Sequence, residues 1–256
     1  PTALVAIPSM YNALLHVTDG GPADFESFRY IVSGGEPLPR AVAEAFANRF
    51  GKIIGEGYGL TETSPVTNWC RPFEFRPGSV GPPLEDVQER IVDVNTRAPL
   101  GPNQDGEVLI KGPNVMRGYY KHAAETAAVF DQDGFFKTGD IGRLDNDGHL
   151  YITGRLKEMI IVGGENVFPR EIEEVLNAHP SIKESGVVGR KDPMRGEIPV
   201  AFVELKEGAA FDEKAVLKWC RERLAGYKVP DEIRVLESLP RNPTGKVLRR
   251  ELKALL

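Results

Sequence analysis

The sequence predicts a chain of mixed α/β and α+β class: the end of a parallel α/β subdomain, then an antiparallel β-barrel-like subdomain, then a small α+β domain. Three observations predict it. Residues 1–75 alternate helical and strand signals, the rhythm of a parallel sheet with crossover helices. Residues 76–156 set short apolar runs between frequent Pro and Gly, as antiparallel strands joined by turns do. Residues 157–256 carry their own strands and helices and read as a separate unit beginning at Lys157.

In the first part, Ile7 to Val17 has helical periodicity, with Ser9 as a candidate cap. Phe28 to Val32 reads as a strand ending at Ser33-Gly34-Gly35-Glu36, and Leu38 to Phe50 as a helix. Lys52-Ile53-Ile54 reads as the next strand, ending at Gly55-Glu56-Gly57-Tyr58-Gly59. Ligands of parallel α/β sheets bind at the carboxyl ends of strands, where both glycine-rich stretches are expected to fall. In the second part the expected strands are Gln88 to Val94, Gly106 to Lys111, Gly142 to Leu144 and His149 to Thr153. Asp145-Asn146-Asp147-Gly148 lacks the closing Glu of a calcium loop and reads as a hairpin turn. In the third part Met159 to Val162 is a short apolar strand that breaks at Gly163-Gly164, followed by a helix with Pro169 near its start. Strands at Ile182 to Val188, Pro199 to Glu204 and Ile233 to Leu236, with helices at Glu213 to Leu224 and Leu248 to Leu256, complete it.

The 256 residues are 41% hydrophobic, enough for a sizeable core. The net charge is −5, from 32 basic and 37 acidic residues, which argues against a nucleic-acid partner. No apolar run approaches the ~18 residues of a membrane span. Peripheral membrane contact stays open. There is no signal-peptide pattern, and the chain opens at Pro1 in what reads as mid-fold sequence, as the C-terminal portion of a longer protein would. Cys70 and Cys220 are far apart and make no metal or redox motif, which fits a reduced, cytoplasmic setting. His16, His122, His149 and His179 have no ligand spacing.

Taken singly, the remaining motifs are ambiguous. Gly55-x-Gly57-x-Gly59 lacks the spacing of the dinucleotide fingerprint, Thr138-Gly139-Asp140 alone reads as a turn, and a lysine at a Pro-Gly turn tip is usually solvated. Their order is more informative. Gly154-Arg155-Leu156-Lys157-Glu158, running through Gly163-Gly164-Glu165-Asn166 to Glu173, resembles the hinge and following loop of the adenylate-forming superfamily, and within it the acyl-CoA ligases. Ser33-Gly34-Gly35-Glu36-Pro37-Leu38, Tyr58-Gly59-Leu60-Thr61-Glu62, Gly118-Tyr119-Tyr120, Lys137-Thr138-Gly139-Asp140 and Pro243-Thr244-Gly245-Lys246 match further motifs, in family order.

The resemblance implies ATP-dependent activation of a carboxylic acid to an acyl-adenylate, then transfer to coenzyme A. It implies that Gly34, Gly35, Glu36, Gly57 and Tyr58 hold the adenine of ATP or AMP, that Thr61 bonds the α-phosphate, and that Glu62 is the Mg²⁺ ligand. Asp140 would take the ribose diol, Arg155 the ribose or phosphate, and Lys246 would be the adenylation lysine. Lys157 would be the pivot about which the last domain rotates between steps, bringing Gly163-Gly164 to line the pantetheine passage. Thr61 to Thr67 is closer to the fatty acyl branch, so the acid expected is a fatty acid. The alternatives are an adenylation domain that loads a carrier protein, as in peptide synthetases, and a nucleotide-binding module without catalysis. The family's phosphate loop is not found in the sequence, so the chain by itself is expected to be inactive and to self-associate through an uncovered face within residues 1–60.

Overall fold

The computed structural model describes residues 1–71, 73–242 and 245–256. The chain divides into two compact units, Pro1–Ile152 and Thr153–Leu256.

The first unit opens with β1 (Ala3–Ala6), α1 (Pro8–Leu14), β2 (Tyr30–Ser33), α2 (Arg40–Phe50), β3 (Gly55–Tyr58) and β4 (Asn68–Trp69). β1, β2 and β3 are parallel neighbours, and β4 joins β3 antiparallel. Pro8, not Ser9, sets the start of α1: its fixed φ suits the first helical position, and no side chain caps the helix. α2 stops at Gly51, whose φ of 66° is left-handed. Tyr11, Phe25, Phe46, Phe50 and Ile54 form the core beneath these helices. The Tyr11 ring meets Phe46 edge-on with centroids 5.4 Å apart, and its hydroxyl donates to the Val32 carbonyl at 2.8 Å.

The sequence expectation differs most at β3. The strand is Gly55-Glu56-Gly57-Tyr58 itself, whereas Lys52-Ile53-Ile54 lies outside it. The reason is steric. A Cβ on Gly55 would lie 3.3 Å from the Cys70 carbonyl oxygen, and one on Gly57 would lie 3.4 Å from Trp69 Cε3. Glycine lets the neighbouring strand come this close.

The rest of the unit is β5 (Gln88–Val92), β6 (Gly106–Lys111), the short helix α3 (Ala123–Val129), β7 (Phe136–Leu144) and β8 (Leu150–Arg155), the last running on past the division between units. The sheet order is β5-β6-β7-β8. β5 and β8 are its two ends, so the expected barrel is an open sheet among the described residues. β7 is much longer than expected because Phe136-Lys137-Thr138-Gly139-Asp140 is strand, with an irregularity in the β6–β7 register between Glu107 and Leu109. The 145–148 stretch is a hairpin turn: the Asp145 carboxylate accepts from the amides of Asp147 and His149, and Gly148 has φ 80°.

The second unit continues with β9 (Ile160–Val162), β10 (Glu165–Val167), α4 (Pro169–Asn177), β11 (Ile182–Asp192), β12 (Gly196–Leu205), α5 (Glu213–Arg221), β13 (Glu232–Leu236) and α6 (Arg249–Ala254). The five strands make one sheet in the order β10-β9-β12-β11, with β13 parallel to β12. α4 and α5 are amphipathic. They bury Ile172, Leu176, Val216 and Cys220 against Val187, Ala201 and Val203 of the sheet. Asp212 caps α5 by accepting the Ala215 amide at 3.1 Å. The Trp219 indole N–H donates to the Val175 carbonyl, His179 meets its ring edge-on, and the Arg223 guanidinium lies 3.4 Å from the ring centroid. Both cysteines are buried and free, and no helix among the described residues is long and apolar enough to cross a membrane.

Candidate active site

In the first unit two sheets bring expected nucleotide residues together from strands far apart in sequence. β2 and β3 run side by side, Val32 beside Gly55 and Ser33 beside Glu56. The chain leaving β2 crosses β3 closely enough that a Cβ on Gly34 would sit 3.6 Å from the Gly57 carbonyl oxygen. Gly35 follows with φ 81°. The Glu56 carboxylate accepts the Leu38 amide at 3.3 Å, tying the far end of this turn to β3.

Tyr58 ends β3, and its hydroxyl donates to Asp140 Oδ2 at 2.6 Å across 82 residues of sequence. Burial, then the charge of Asp140 and this bond, push the Tyr58 phenol well above its ordinary range. Asp140 is 2% exposed. It is oriented from behind: Thr138 Oγ1 accepts the Asp140 amide and donates to the Val108 carbonyl at 2.7 Å. Glu107, itself buried and ion-paired with Arg97, accepts the Gly139 amide at 3.1 Å. Asp140 is therefore a fixed carboxylate beside a fixed aromatic ring. One such carboxylate can accept from two vicinal hydroxyls, and the ring can support a flat base.

Thr61 and Glu62 lie on a 3-10 turn, Thr61–Thr63, that leaves Tyr58. Thr61 is exposed and Glu62 half-buried. Thr63 and Asn114 hold the turn. Thr63 Oγ1 bonds both the amide and carbonyl of Leu60, while the Asn114 amide donates to the Thr63 and Val66 carbonyls. Tyr119 donates to Glu62 Oε1 at 3.0 Å, and the Met116 amide donates to the Glu62 carbonyl at 2.7 Å. The Gly118-Tyr119-Tyr120 motif thus aims the Glu62 carboxylate as well as supporting the fold. Among the described residues no group of three acidic, His or Cys side chains could hold a metal. A single oriented carboxylate fits a Mg²⁺ that takes most of its ligands from phosphate and water.

Behind this wall lies a group the sequence reading missed. Glu89 on β5 has both carboxyl oxygens shut from solvent without a hydrogen bond. Burial pushes it up to about 8. Its position in a half-buried strand gave no periodic signal to separate it from a solvent-facing glutamate.

The second unit carries the other expected residues. Arg155 ends β8, and Lys157 lies exposed on the 3-10 turn Leu156–Glu158. Gly163 and Gly164 are the two-residue tip of the β9–β10 hairpin, with φ 61° and 91°. Left-handed angles at both positions favour glycine, and a Cβ at either would meet nothing within 4 Å. Lys246 is exposed on a turn in which the Lys246 amide donates to Asn242 Oδ1 and the Asn242 amide to the Lys246 carbonyl. Pro243 and Thr244 of its motif lie outside the described residues.

Comparison with known proteins agrees with this arrangement. The AMP-binding enzyme family model matches residues 1–120, and the model of the AMP-binding enzyme C-terminal domain matches residues 171–246. The chain is 43% identical to a 2-succinylbenzoate–CoA ligase of Geobacillus kaustophilus, over 98% of this chain and 52% of that protein. It is 41% identical to a long-chain-fatty-acid–CoA ligase of Bacillus subtilis, over 98% of this chain and 45% of that protein. ATP-bound MatB from Rhodopseudomonas palustris superposes with a TM-score of 0.93 at 35% identity, over 99% of this chain and 50% of that one. The chain thus spans about half the length of the curated relatives it matches. With both family models matched in order and the fold shared along nearly its whole length, the chain belongs to the AMP-binding, adenylate-forming enzyme family.

Proposed function

We propose that these residues serve an AMP-forming acyl-CoA ligase: ATP and a carboxylic acid give acyl-adenylate and pyrophosphate, and the acyl group then passes to the thiol of coenzyme A. The observation that carries this reading is the Tyr58–Asp140 pair, with its buried support from Thr138 and Glu107. Tyr58 and Gly34-Gly35-Glu36 hold adenine, Asp140 the ribose diol and Thr61 the α-phosphate. Glu62 holds Mg²⁺, which when bound screens the phosphate charge. Arg155 contacts the ribose or phosphate. Lys246 stabilises the charge that builds as carboxylate oxygen attacks the α-phosphorus. The unit then pivots at Lys157, and the Gly163-Gly164 tip lines the passage for pantetheine.

The relatives' names include succinylbenzoate and long-chain fatty acids. A fatty acid is our proposal, on the Thr61 to Thr67 resemblance. The reading includes a cytoplasmic protein and association of the isolated chain through the face bearing Val5 and Ile53, which are 66% and 58% exposed. The test is pyrophosphate release and thioester formation by the full-length gene product with a panel of fatty, aryl and dicarboxylic acids. Adenylate without transfer to coenzyme A, or no adenylate with any acid, would overturn it.

A further inference from the structure

The turn that bears Lys246 is held at both ends by an arginine. On the entering side, Arg241 pairs with Glu184 and with Glu204 Oε2 at 3.0 Å, and donates to the Gly245 carbonyl. Glu204 is 6% exposed. Burial alone would raise it, but bonds from Lys183, the Leu239 amide and Arg241 outweigh burial and hold it below the ordinary carboxylate range. On the leaving side, Arg249 opens α6. It grips Glu173 of α4 with two nitrogens, Nε to Oε1 at 3.0 Å and Nη2 to Oε2 at 2.5 Å. Glu173 Oε1 also accepts the Val187 amide of β11 at 2.8 Å.

The third nitrogen of Arg249 goes elsewhere. Nη1 donates to Glu158 Oε2 at 2.8 Å, and Glu158 is the residue after Lys157 on its 3-10 turn. Glu158 and Arg249 are 91 residues apart in sequence. A planar guanidinium with five fixed donors can serve two carboxylates at once, which a lysine cannot. Burial would lower the Arg249 pKa. The charges of Glu173 and Glu158 and the bonds to Glu173 reverse that, so the cation is held firmly.

We propose that Arg249 is a positioning residue that locks the Lys246 turn to the turn carrying Lys157, so that pivot and lysine move as one piece. The role rests on the ligase reading above. The Glu173 arm fixes α6 to the sheet; the Glu158 arm makes the connection to the pivot. Without the second arm the unit still folds, but Lys246 no longer follows the pivot closely. Adenylation needs Lys246 in place, whereas thioester formation from preformed acyl-adenylate does not.

Glu158→Gln separates the two arms, since it leaves the Glu173 pair intact and keeps the side chain's shape. In this chain, amide exchange at Lys246, Leu248 and Met159 is expected to quicken about tenfold, with Val187 unchanged. In the full-length gene product, the adenylation kcat is expected to fall about tenfold at unchanged KM for ATP, with thioester formation from supplied acyl-adenylate unchanged. Arg249→Lys should reproduce the catalytic split, with Glu158→Asp partly restoring it. Equal loss in both half-reactions, or exchange no faster at those three amides, would overturn the lock while leaving the ligase reading standing. A wild-type protein that forms no adenylate would overturn both that reading and the positioning role of Arg249 in adenylation.

Discussion

The wall around Tyr58 and Asp140 and the turns that carry Gly163-Gly164 and Lys246 are built in opposite ways. Around Tyr58 and Asp140, side chains and glycines are enclosed and strands β3, β5, β6 and β7 constrain one another. The Gly163-Gly164 tip and Lys246 stand exposed on turns, with their geometry set by local backbone. Glycine means a different thing in each. Beside Tyr58 it is chosen because another strand runs close, within 3.3 Å of a Cβ on Gly55 and 3.4 Å of one on Gly57. At the Gly163-Gly164 tip it is chosen for its φ, since a Cβ there would meet nothing within 4 Å.

Substitution by alanine breaks the comparison most sharply. A Cβ on Gly81 would lie 2.5 Å from the Trp69 carbonyl carbon and oxygen, at a φ of 89°. Gly81→Ala is expected to cost more than about 3 kcal/mol, because both strain and a backbone clash must be relieved. Gly164→Ala meets open space and carries only the left-handed penalty, about 1–2 kcal/mol. Urea unfolding of the two variants tests this; similar midpoints would remove the distinction.

Asp140→Ala is expected next in size. It strips the Tyr58 hydroxyl of its acceptor and should destabilise the first unit by about 1–3 kcal/mol. It should also weaken AMP binding by about tenfold or more, read by calorimetry on the full-length gene product. On the proposed reading, Gly164→Leu in the full-length gene product should leave pyrophosphate release intact and stop transfer to coenzyme A, since only the proposed passage needs that space. Loss of both half-reactions would remove the passage role from this tip.

Glu89 gives a pH test. The folded chain keeps its proton up to about 8, whereas an ordinary glutamate loses it near 4.5. Between those values the folded state binds the extra proton, so Glu89 makes stability fall as pH rises, and the effect levels off above about 8. The slope it adds is at most about 1.4 kcal/mol per pH unit. Glu89→Gln should flatten the wild-type stability profile between pH 5 and about 8 and leave it parallel to wild type above. Parallel profiles throughout would mean that the carboxyl is ionised in the folded chain. The smallest effect is expected at Arg40→Ala: its ion pair with Glu44 is exposed on α2 and screened by water, and the urea midpoint should match that of the wild type.

The candidate site could be proposed from sequence because its residues stand in short local motifs. Tyr58, Glu62 and Asp140 are recognisable within five-residue windows, and the structure joins Tyr58 to Asp140 directly. The glycine-rich strand β3 was not legible, since local propensity reads Gly-x-Gly as a turn and only the approach of β4 explains it. The open sheet β5–β8 was half legible: its strands were found, but closure depends on pairing between ends that no local pattern encodes. Tyr119, Asn114 and Arg249 were unread as partners for a similar reason. Each acts through a contact with a residue dozens of positions away.

The chain has two tryptophans. Trp69 sits on β4 against Gly57, in the strand pair that ends at Tyr58, and Trp219 sits on α5 between His179 and Arg223. Each unit therefore contains its own fluorophore. Replacing Trp219 by Phe leaves an emission signal that belongs to the first unit alone, and replacing Trp69 by Phe leaves one that belongs to the second. The melting of the two units can then be followed as separate optical events without adding a dye.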